Sequence, residues 1–258
     1  MENTEKITLE SETQATKPLS NLAEKMRRDI EKLPPPRPKE EIEREKREEQ
    51  VRERLGEWKN LQGQFGVRFQ NCSLENFEAS SDLQRRAVAA LEDFSRNMVS
   101  ESKIGYGLFM LGPCGRGKDH LMVAMLQRAV LHHGMSVLWK NGLDLFGDFR
   151  DMMRGERKER AVIEEYKIPD ILALSDPITP AGELTDYHST MLQRIVDVRY
   201  RNLRPIWVTC NASGYSDAGQ KVGIPVIDRL IHNALVIKCE WGNHRKLREI
   251  VQEVKDQE

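Results

Sequence analysis

The sequence lacks several features that mark particular classes of protein. It has four cysteines in 258 residues, widely separated and without a Cys-x-x-Cys pair, which argues against a zinc site. It has no run of about 18 or more apolar residues, so no membrane span is expected. The polar, charged amino terminus does not resemble a signal peptide. These absences predict a cytoplasmic protein with free thiols and no membrane partner.

Excess charge of one sign is also lacking, since 40 Lys and Arg residues balance 41 Asp and Glu residues to a net charge of −1. The overall charge therefore gives no attraction to a polyanion, and any contact with nucleic acid must come from a local basic patch. The length is sufficient for one sizeable domain and an appendage.

The appendage is predicted at residues 1–64, ahead of a globular domain at residues 65–258. A weak amphipathic helix is predicted over residues 18–33 and ends at a proline cluster that begins at Pro34 and forms a hinge. A second predicted helix, residues 39–59, carries charges of both signs and few apolar residues. Because such a helix cannot order itself alone, it is interpreted either as a solvated linker or as an arm that docks a partner.

Within the globular part, short apolar segments alternate with helical patterns, which predicts an α/β fold with a parallel sheet flanked by helices. The predicted strands are residues 106–111, 136–139, 171–174, 205–209 and 234–237. Because ligands bind at the carboxyl ends of parallel strands, the residues that follow these strands are the candidates for a functional site.

The first predicted strand is followed by the spacing G-x-x-x-x-G-K and then by a helix, the context of a phosphate-binding loop. Glycines let several N–H groups point at one anion, and the helix N-terminus adds a partial positive charge. The alternative is an ordinary glycine-rich connection in which the lysine occurs by chance. A strand before the loop and a helix after it disfavour that alternative. The residues expected to bind nucleotide are Gly112, Pro113, Cys114, Gly115, Arg116, Gly117, Lys118, Asp119 and His120.

Polar residues follow two other predicted strands. Ser175 and Asp176 come after the third strand, where an acidic residue suits a Mg²⁺·ATP site. Asn211 follows the fourth strand and is interpreted either as a residue that orients water or the γ-phosphate, or as an Asx turn.

Further short motifs occur in a fixed order along residues 69–245. They are Phe69-Gln70-Asn71-Cys72, Gly117-Lys118-Asp119-His120-Leu121, Thr185-Asp186-Tyr187, Tyr200-Arg201-Asn202, Thr209-Cys210-Asn211, Asp228-Arg229-Leu230 and Gly242-Asn243-His244-Arg245. This series resembles the DnaC/DnaI helicase-loader and IstB transposition-helper group of AAA+ ATPases. The resemblance implies a P-loop AAA+ domain that lacks the C-terminal helical lid, binds ATP and Mg²⁺, and hydrolyses ATP.

The resemblance also implies roles for single residues. Lys118 is expected to bind phosphates and Asn211 to sense the γ-phosphate. Arg229 is expected to reach the ATP of a neighbouring subunit, so that copies of the chain associate through its side of the molecule. Arg245 is expected to contact ATP in its own subunit. With Asp176 at the acidic strand end, these residues form the predicted catalytic set.

Two departures from the group concern the metal. The group has Thr or Ser where this chain has Asp119, and Asp where this chain has Ser175. The hydroxyl and the carboxylate are thus exchanged, and our hypothesis is that Asp119 and Ser175 hold Mg²⁺, with Asp176 as a further candidate ligand. The competing interpretation is a degenerate site that binds nucleotide weakly or not at all.

The resemblance favours a DnaC-like protein that loads a hexameric replicative helicase onto single-stranded DNA, with ATP as the switch. Two alternatives stay open: an IstB-like helper of a transposase, and an adaptor that does not respond to nucleotide. The predicted DNA contact is a helix and basic run, in which aromatic rings stack bases and cations bind phosphates; its members are Phe146, Phe149, Arg150, Arg154, Arg157, Lys158 and Arg160. The competing interpretation is that the rings belong to the core and the charges to a solvated face.

Overall fold

The computed structural model describes residues 24–28, 37–178 and 184–244. The chain divides into two compact units, residues 1–50 and 51–258. In the first unit residues 24–28 are helical. Helix α1 (Lys39–Gln64) also begins in this unit, at Lys39. Exposed ion pairs at four-residue spacing accompany it, such as Arg44 Nε to Glu48 Oε1 at 3.8 Å. The helix predicted over residues 18–33 lies mainly outside the described residues.

The second unit is built on a five-stranded sheet in the order β2-β3-β4-β1-β5, in which every neighbouring pair is parallel. Its strands are β1 (Gly107–Leu111), β2 (Val137–Asn141), β3 (Ile171–Ser175), β4 (Ile206–Cys210) and β5 (Ala234–Lys238). All five predicted strands are confirmed to within two residues. Their carboxyl ends share one edge of the sheet, as the predicted site requires.

Helices cover both faces of the sheet. They are α2 (Asp82–Lys103), α3 (Lys118–Leu131), α4 (Gly142–Met153), α5 (Glu159–Lys167), α6 (Asp186–Arg201), α7 (Tyr215–Val222) and α8 (Ile224–Ile231). Alternate side chains of β1 enter different core layers: Leu108 packs with α2 and α3, whereas Phe109 packs with α4 to α8. Trp58 and Leu61, near the end of α1, are buried in the first of these layers.

Two helices were not predicted. In α5 the buried residues Val162, Ile163 and Tyr166 stand among charged residues, so the apolar stripe is short and easily overlooked. Helix α7 has eight residues and contains Gly219, which has low helix propensity, so packing against the body must decide its conformation.

Arg199 in α6 is fully buried and joins the starts of two strands to a helix end. Its guanidinium donates hydrogen bonds of 2.8 to 3.2 Å to five carbonyl oxygens, those of Tyr166, Lys167, Pro169, Asp170 and Pro205. Burial lowers the pKa of Arg199 to about 9. This residue therefore fixes the end of α5 against the beginnings of β3 and β4.

The four cysteines, Cys72, Cys114, Cys210 and Cys239, are free thiols, as predicted. Within the described residues, none of the helices has both the length and the apolar character that crossing a membrane requires.

Candidate functional site

The loop between β1 and α3 follows a path that depends on glycine. Gly115 and Gly117 have φ angles of 78° and 83°, in the left-handed region that side chains disfavour. A Cβ on Gly115 would lie 2.1 Å from Asn243 Oδ1, and one on Gly117 would lie 2.8 Å from the Phe77 ring. Gly117 is the N-cap of α3, so the loop leads directly into a helix N-terminus, which favours an anion.

Lys118, the first residue of α3, is 6% exposed and turns its ammonium group back into this loop. Nζ donates to the carbonyl oxygens of Gly112 at 2.8 Å and Pro113 at 2.9 Å, and to Asn211 Oδ1 at 2.6 Å. An ammonium has three N–H donors, so all three are used. A phosphate oxygen must therefore replace one of these acceptors when it binds Lys118.

Asp119 brings together the ends of two strands and the first turn of α3. Its Oδ1 accepts a hydrogen bond from Ser175 Oγ at 2.8 Å and another from Thr209 Oγ1 at 3.0 Å. The exchanged carboxylate and hydroxyl inferred from the sequence are thus direct neighbours. Thr209, which comes from the end of β4, was not predicted as a site residue.

The next pair along the same edge is Asp176 and Asn211. The backbone N–H of Asn211 donates to Asp176 Oδ1 at 3.0 Å, and its side-chain amide donates to Asp176 Oδ2. Asp176 has a φ of 49°, which is uncommon for a residue other than glycine. Its backbone N–H donates to Thr209 Oγ1 at 3.2 Å and to the Thr209 carbonyl oxygen at 2.9 Å.

A cleft of about 410 Å³ opens over Lys118, Asp119 and Asn211. The phosphate loop lines one side together with Lys118, Asp119, His120 and Asn211, and the opposite walls come from residues 68–78 and His244. Phe77 packs between two imidazoles, with centroid distances of 5.3 Å to His120 and 5.2 Å to His244. His120 Nε2 donates to the Ser73 carbonyl at 2.9 Å, and burial lowers the pKa of His120.

The segment that follows β5 is attached to the phosphate loop. Trp241 Nε1 donates to the Arg116 carbonyl at 2.8 Å, and the Arg116 guanidinium donates to the Trp241 carbonyl. The His244 N–H donates to the Gly115 carbonyl at 2.9 Å, and His244 Nε2 lies 2.7 Å from Gln84 Nε2. The next residue, Arg245, lies outside the described residues, so its expected contact with ATP stays a prediction.

Arg229 lies near the amino-terminal ends of the strands, away from the phosphate loop. Its guanidinium pairs with Asp197 at 2.7 Å and donates to the Pro225 carbonyl at 2.9 Å. It lines a separate cavity of about 290 Å³ that also contains Gly107 and Ile206, the first residues of β1 and β4. Because the phosphate loop follows the other end of β1, Arg229 is not part of the site in its own chain. The expected contact with a neighbouring subunit stays a prediction.

The predicted DNA-binding segment divides into a buried part and an exposed part. Phe146 and Phe149 are 2% and 0% exposed, so they belong to the core. Arg157 pairs with Asp148 at 2.6 Å and with Glu165, so its charge is largely neutralised. The exposed basic residues of the segment are Arg150, Arg154, Lys158 and Arg160.

The donor set allows a partial magnesium site. Among the described residues, no group of three or more His, Cys, Asp or Glu side chains is arranged to hold a metal. Mg²⁺ is commonly held by one or two carboxylates with phosphate oxygens and waters. Asp119 with the hydroxyls of Ser175 and Thr209 fits that pattern if phosphates complete it. Both carboxylate oxygens of Asp176 are already bonded to Asn211, so its metal role stays a prediction.

Comparisons with known proteins bear on the family and the fold of this chain. The model of the family described as IstB-like ATP binding protein matches residues 4–251. The replicative helicase loader DnaC of Buchnera aphidicola subsp. Schizaphis graminum is 28% identical over 197 residues, which are 71% of this chain and 74% of that protein.

Two solved structures show the same fold. The crystal structure of the DnaC helicase loader has a TM-score of 0.60 at 22% identity and covers 67% of this chain and 99% of its own. A replication initiator DnaA bound to AMPPCP and single-stranded DNA has a TM-score of 0.54 at 19% identity and covers 66% and 50%. The predicted P-loop AAA+ fold is thereby confirmed.

Proposed function

Because this chain belongs to the IstB-like ATP-binding protein family, we propose that it binds ATP in the cleft beside Lys118 and uses ATP binding and hydrolysis as a switch. The observation that carries the proposal is the position of the Lys118 ammonium, between two carbonyls of the phosphate loop and Asn211 in the wall of a 410 Å³ cleft. A triphosphate placed on the loop would meet the helix N-terminus, the loop N–H groups and this cation together.

Asp119, Ser175 and Thr209 are proposed as the protein ligands of Mg²⁺. When bound, the ion neutralises charge on the β- and γ-phosphates. Asp119 already accepts hydrogen bonds from both hydroxyls, so this chain supplies one carboxylate and two neutral oxygens within a single cluster. Of these residues, Asp119 follows Lys118 in the chain and lines the same cleft.

The proposed biological role is the loading of a replicative helicase onto single-stranded DNA. It is supported by the similarity to a DnaC loader over most of both chains. In this proposal the first 64 residues dock the helicase, and Arg229 completes the ATP site of a neighbouring copy. The pairing of Arg229 with Asp197 would have to be exchanged for that contact.

Single-stranded DNA is proposed to bind the exposed cations at the end of α4, chiefly Arg150 in the helix and Arg154 directly after it. Arg154→Ala together with Arg150→Ala should weaken binding to single-stranded oligonucleotides and reduce its salt dependence, because phosphate contacts release counterions. A matched control replaces Arg86 and Arg96, which are exposed on α2. Unchanged affinity at low salt in the α4 variant would remove this part of the proposal.

The experiment that tests the ATPase function is Lys118→Ala, with Mg²⁺-dependent ATP binding and turnover as readouts. Losing a charge-assisted phosphate contact should weaken ATP binding by about tenfold to a hundredfold. Lys167→Ala is the control, because that side chain is partly exposed and paired with Glu164 on α5. Wild-type protein without any ATP binding would leave only the adaptor function.

A second candidate function is ATP-dependent assistance to a transposase, favoured by the match to the IstB-like family over residues 4–251. Both functions use the same ATP site, so they differ in partner only. Affinity capture with the full-length chain, in parallel with purified helicase and with purified transposase, separates them. Retention of the transposase alone would replace the helicase proposal.

A further inference from the structure

Every polar atom of Asn211 is bonded. Its backbone N–H and side-chain amide group donate to the two carboxylate oxygens of Asp176, its Oδ1 accepts from Lys118, and its carbonyl accepts from Lys221 Nζ at 2.9 Å. An ammonium can only donate and a carboxylate can only accept, so the amide oxygen must face Lys118 and the NH₂ must face Asp176. The orientation of this amide therefore follows from its two charged neighbours.

That orientation limits what Asn211 can do in the cleft. With one N–H of its NH₂ donated to Asp176, the side chain presents its oxygen toward Lys118, and this oxygen cannot donate a hydrogen bond to a phosphate. Through this oxygen, Asn211 acts on a bound phosphate by placing the lysine ammonium.

Asp176 is itself held in an unusual position. Its left-handed backbone, with a φ of 49°, is anchored by two contacts from its N–H to Thr209. This turn directs both carboxylate oxygens to Asn211. Thr209 also donates to Asp119, so a single threonine connects this pair with the proposed magnesium ligands.

We propose that Asp176 is a positioning residue, which fixes the Asn211 amide with its oxygen toward Lys118 and so fixes the ammonium for a phosphate. The inference rests on the proposed ATP function and assigns the carboxylate that follows β3 to the lysine rather than to the metal. A carboxylate that acted on water would affect turnover alone, whereas a positioning residue also affects nucleotide affinity and the environment of the Asn211 amide.

The test uses full-length Asp176→Gly and Asp176→Asn. Glycine adopts the left-handed backbone without strain and removes the carboxylate, while asparagine tolerates that backbone and keeps one acceptor. The ¹⁵N signal of the Asn211 side-chain amide, assigned by its loss in Asn211→Ala, is recorded without nucleotide. We expect slow hydrogen exchange in the wild type, at least about tenfold faster exchange in Asp176→Gly, and an intermediate value in Asp176→Asn.

The second readout is a double-mutant cycle on Mg²⁺·ATP affinity. Asp176→Gly should weaken binding by about tenfold in the wild-type background and have almost no effect in the Asn211→Ala background, because the carboxylate acts through the amide. Additive losses, or an amide signal that Asp176→Gly leaves unchanged, would overturn the proposal.

The two proposals fail in distinguishable ways. If the wild type binds no ATP, the proposed function fails, and the amide signal measured without nucleotide still decides the role of Asp176. If ATP binds normally but the amide signal does not depend on Asp176, only the positioning role is lost.

Discussion

Lys118 and Arg199 are both buried cations whose hydrogen bonds go to neutral oxygens. Lys118 has three acceptors and is 6% exposed in the wall of a cleft, whereas Arg199 has five carbonyl acceptors and is 0% exposed. They lie at opposite ends of the strands. Arg199 binds carbonyls just before β3 and β4, whereas Lys118 binds carbonyls that follow β1. Access to a ligand, rather than the type of contact, separates the functional cation from the structural one.

The largest effect expected from this contrast is on stability. Arg199→Met removes its hydrogen bonds from five carbonyls, of which that of Pro205 keeps a bond from the Leu172 N–H at 3.3 Å. Each buried carbonyl left unpaired costs about 1–3 kcal/mol. The free energy of unfolding in urea should therefore fall by about 3 kcal/mol or more. Arg201→Gln is the control on the same helix, because Arg201 is exposed and pairs with Asp197; it should change stability by less than about 1 kcal/mol. Equal effects of the two substitutions would contradict the structural role of Arg199.

A smaller effect is expected where the exchanged metal ligands meet. Asp119→Thr should weaken Mg²⁺·ATP binding by about tenfold, because the only carboxylate of the proposed cluster is removed. Adding Ser175→Asp returns a carboxylate to the site, and we expect affinity to recover to within about threefold of the wild type.

Asp119→Asn is the matched control for this pair. It keeps an oxygen that can accept from Ser175 and Thr209 while removing the negative charge. Wild-type Mg²⁺·ATP affinity in this variant would mean that Asp119 serves packing only. The double variant could also lose affinity by a factor equal to the product of the losses in Asp119→Thr and Ser175→Asp. That result would count against a shared metal site.

The parts of this molecule that depend on local pattern could be predicted from its sequence. The five strands and the phosphate loop follow from short-range periodicity and glycine spacing. The contact between Ser175 and Asp119 also follows, because parallel strands bring their carboxyl ends to one edge.

The contacts that depend on side-chain direction could not be predicted in the same way. Sequence reasoning gave Asp176 a role at the metal, which stays a prediction, but it did not foresee that the left-handed backbone directs the carboxylate to Asn211. Thr209 belongs to the site through its hydroxyl, and nothing in the sequence distinguishes this hydroxyl from that of any other Ser or Thr in a strand. Arg157 lies in a basic run, but two acidic residues from flanking helices, Asp148 and Glu165, neutralise it. Each of these outcomes is decided by tertiary packing.

The most direct measurement is the affinity of the wild-type protein for ATP with Mg²⁺ and with EDTA. A carboxylate about 4 Å from a phosphate charge repels it by about 4 kcal/mol at an effective dielectric constant of 20. Because Asp119 stands beside the phosphate loop, we predict tight binding with Mg²⁺ and at least about tenfold weaker binding in EDTA. Similar affinity in the two conditions would contradict the metal cluster, and absence of ATP binding in both would contradict the nucleotide site itself.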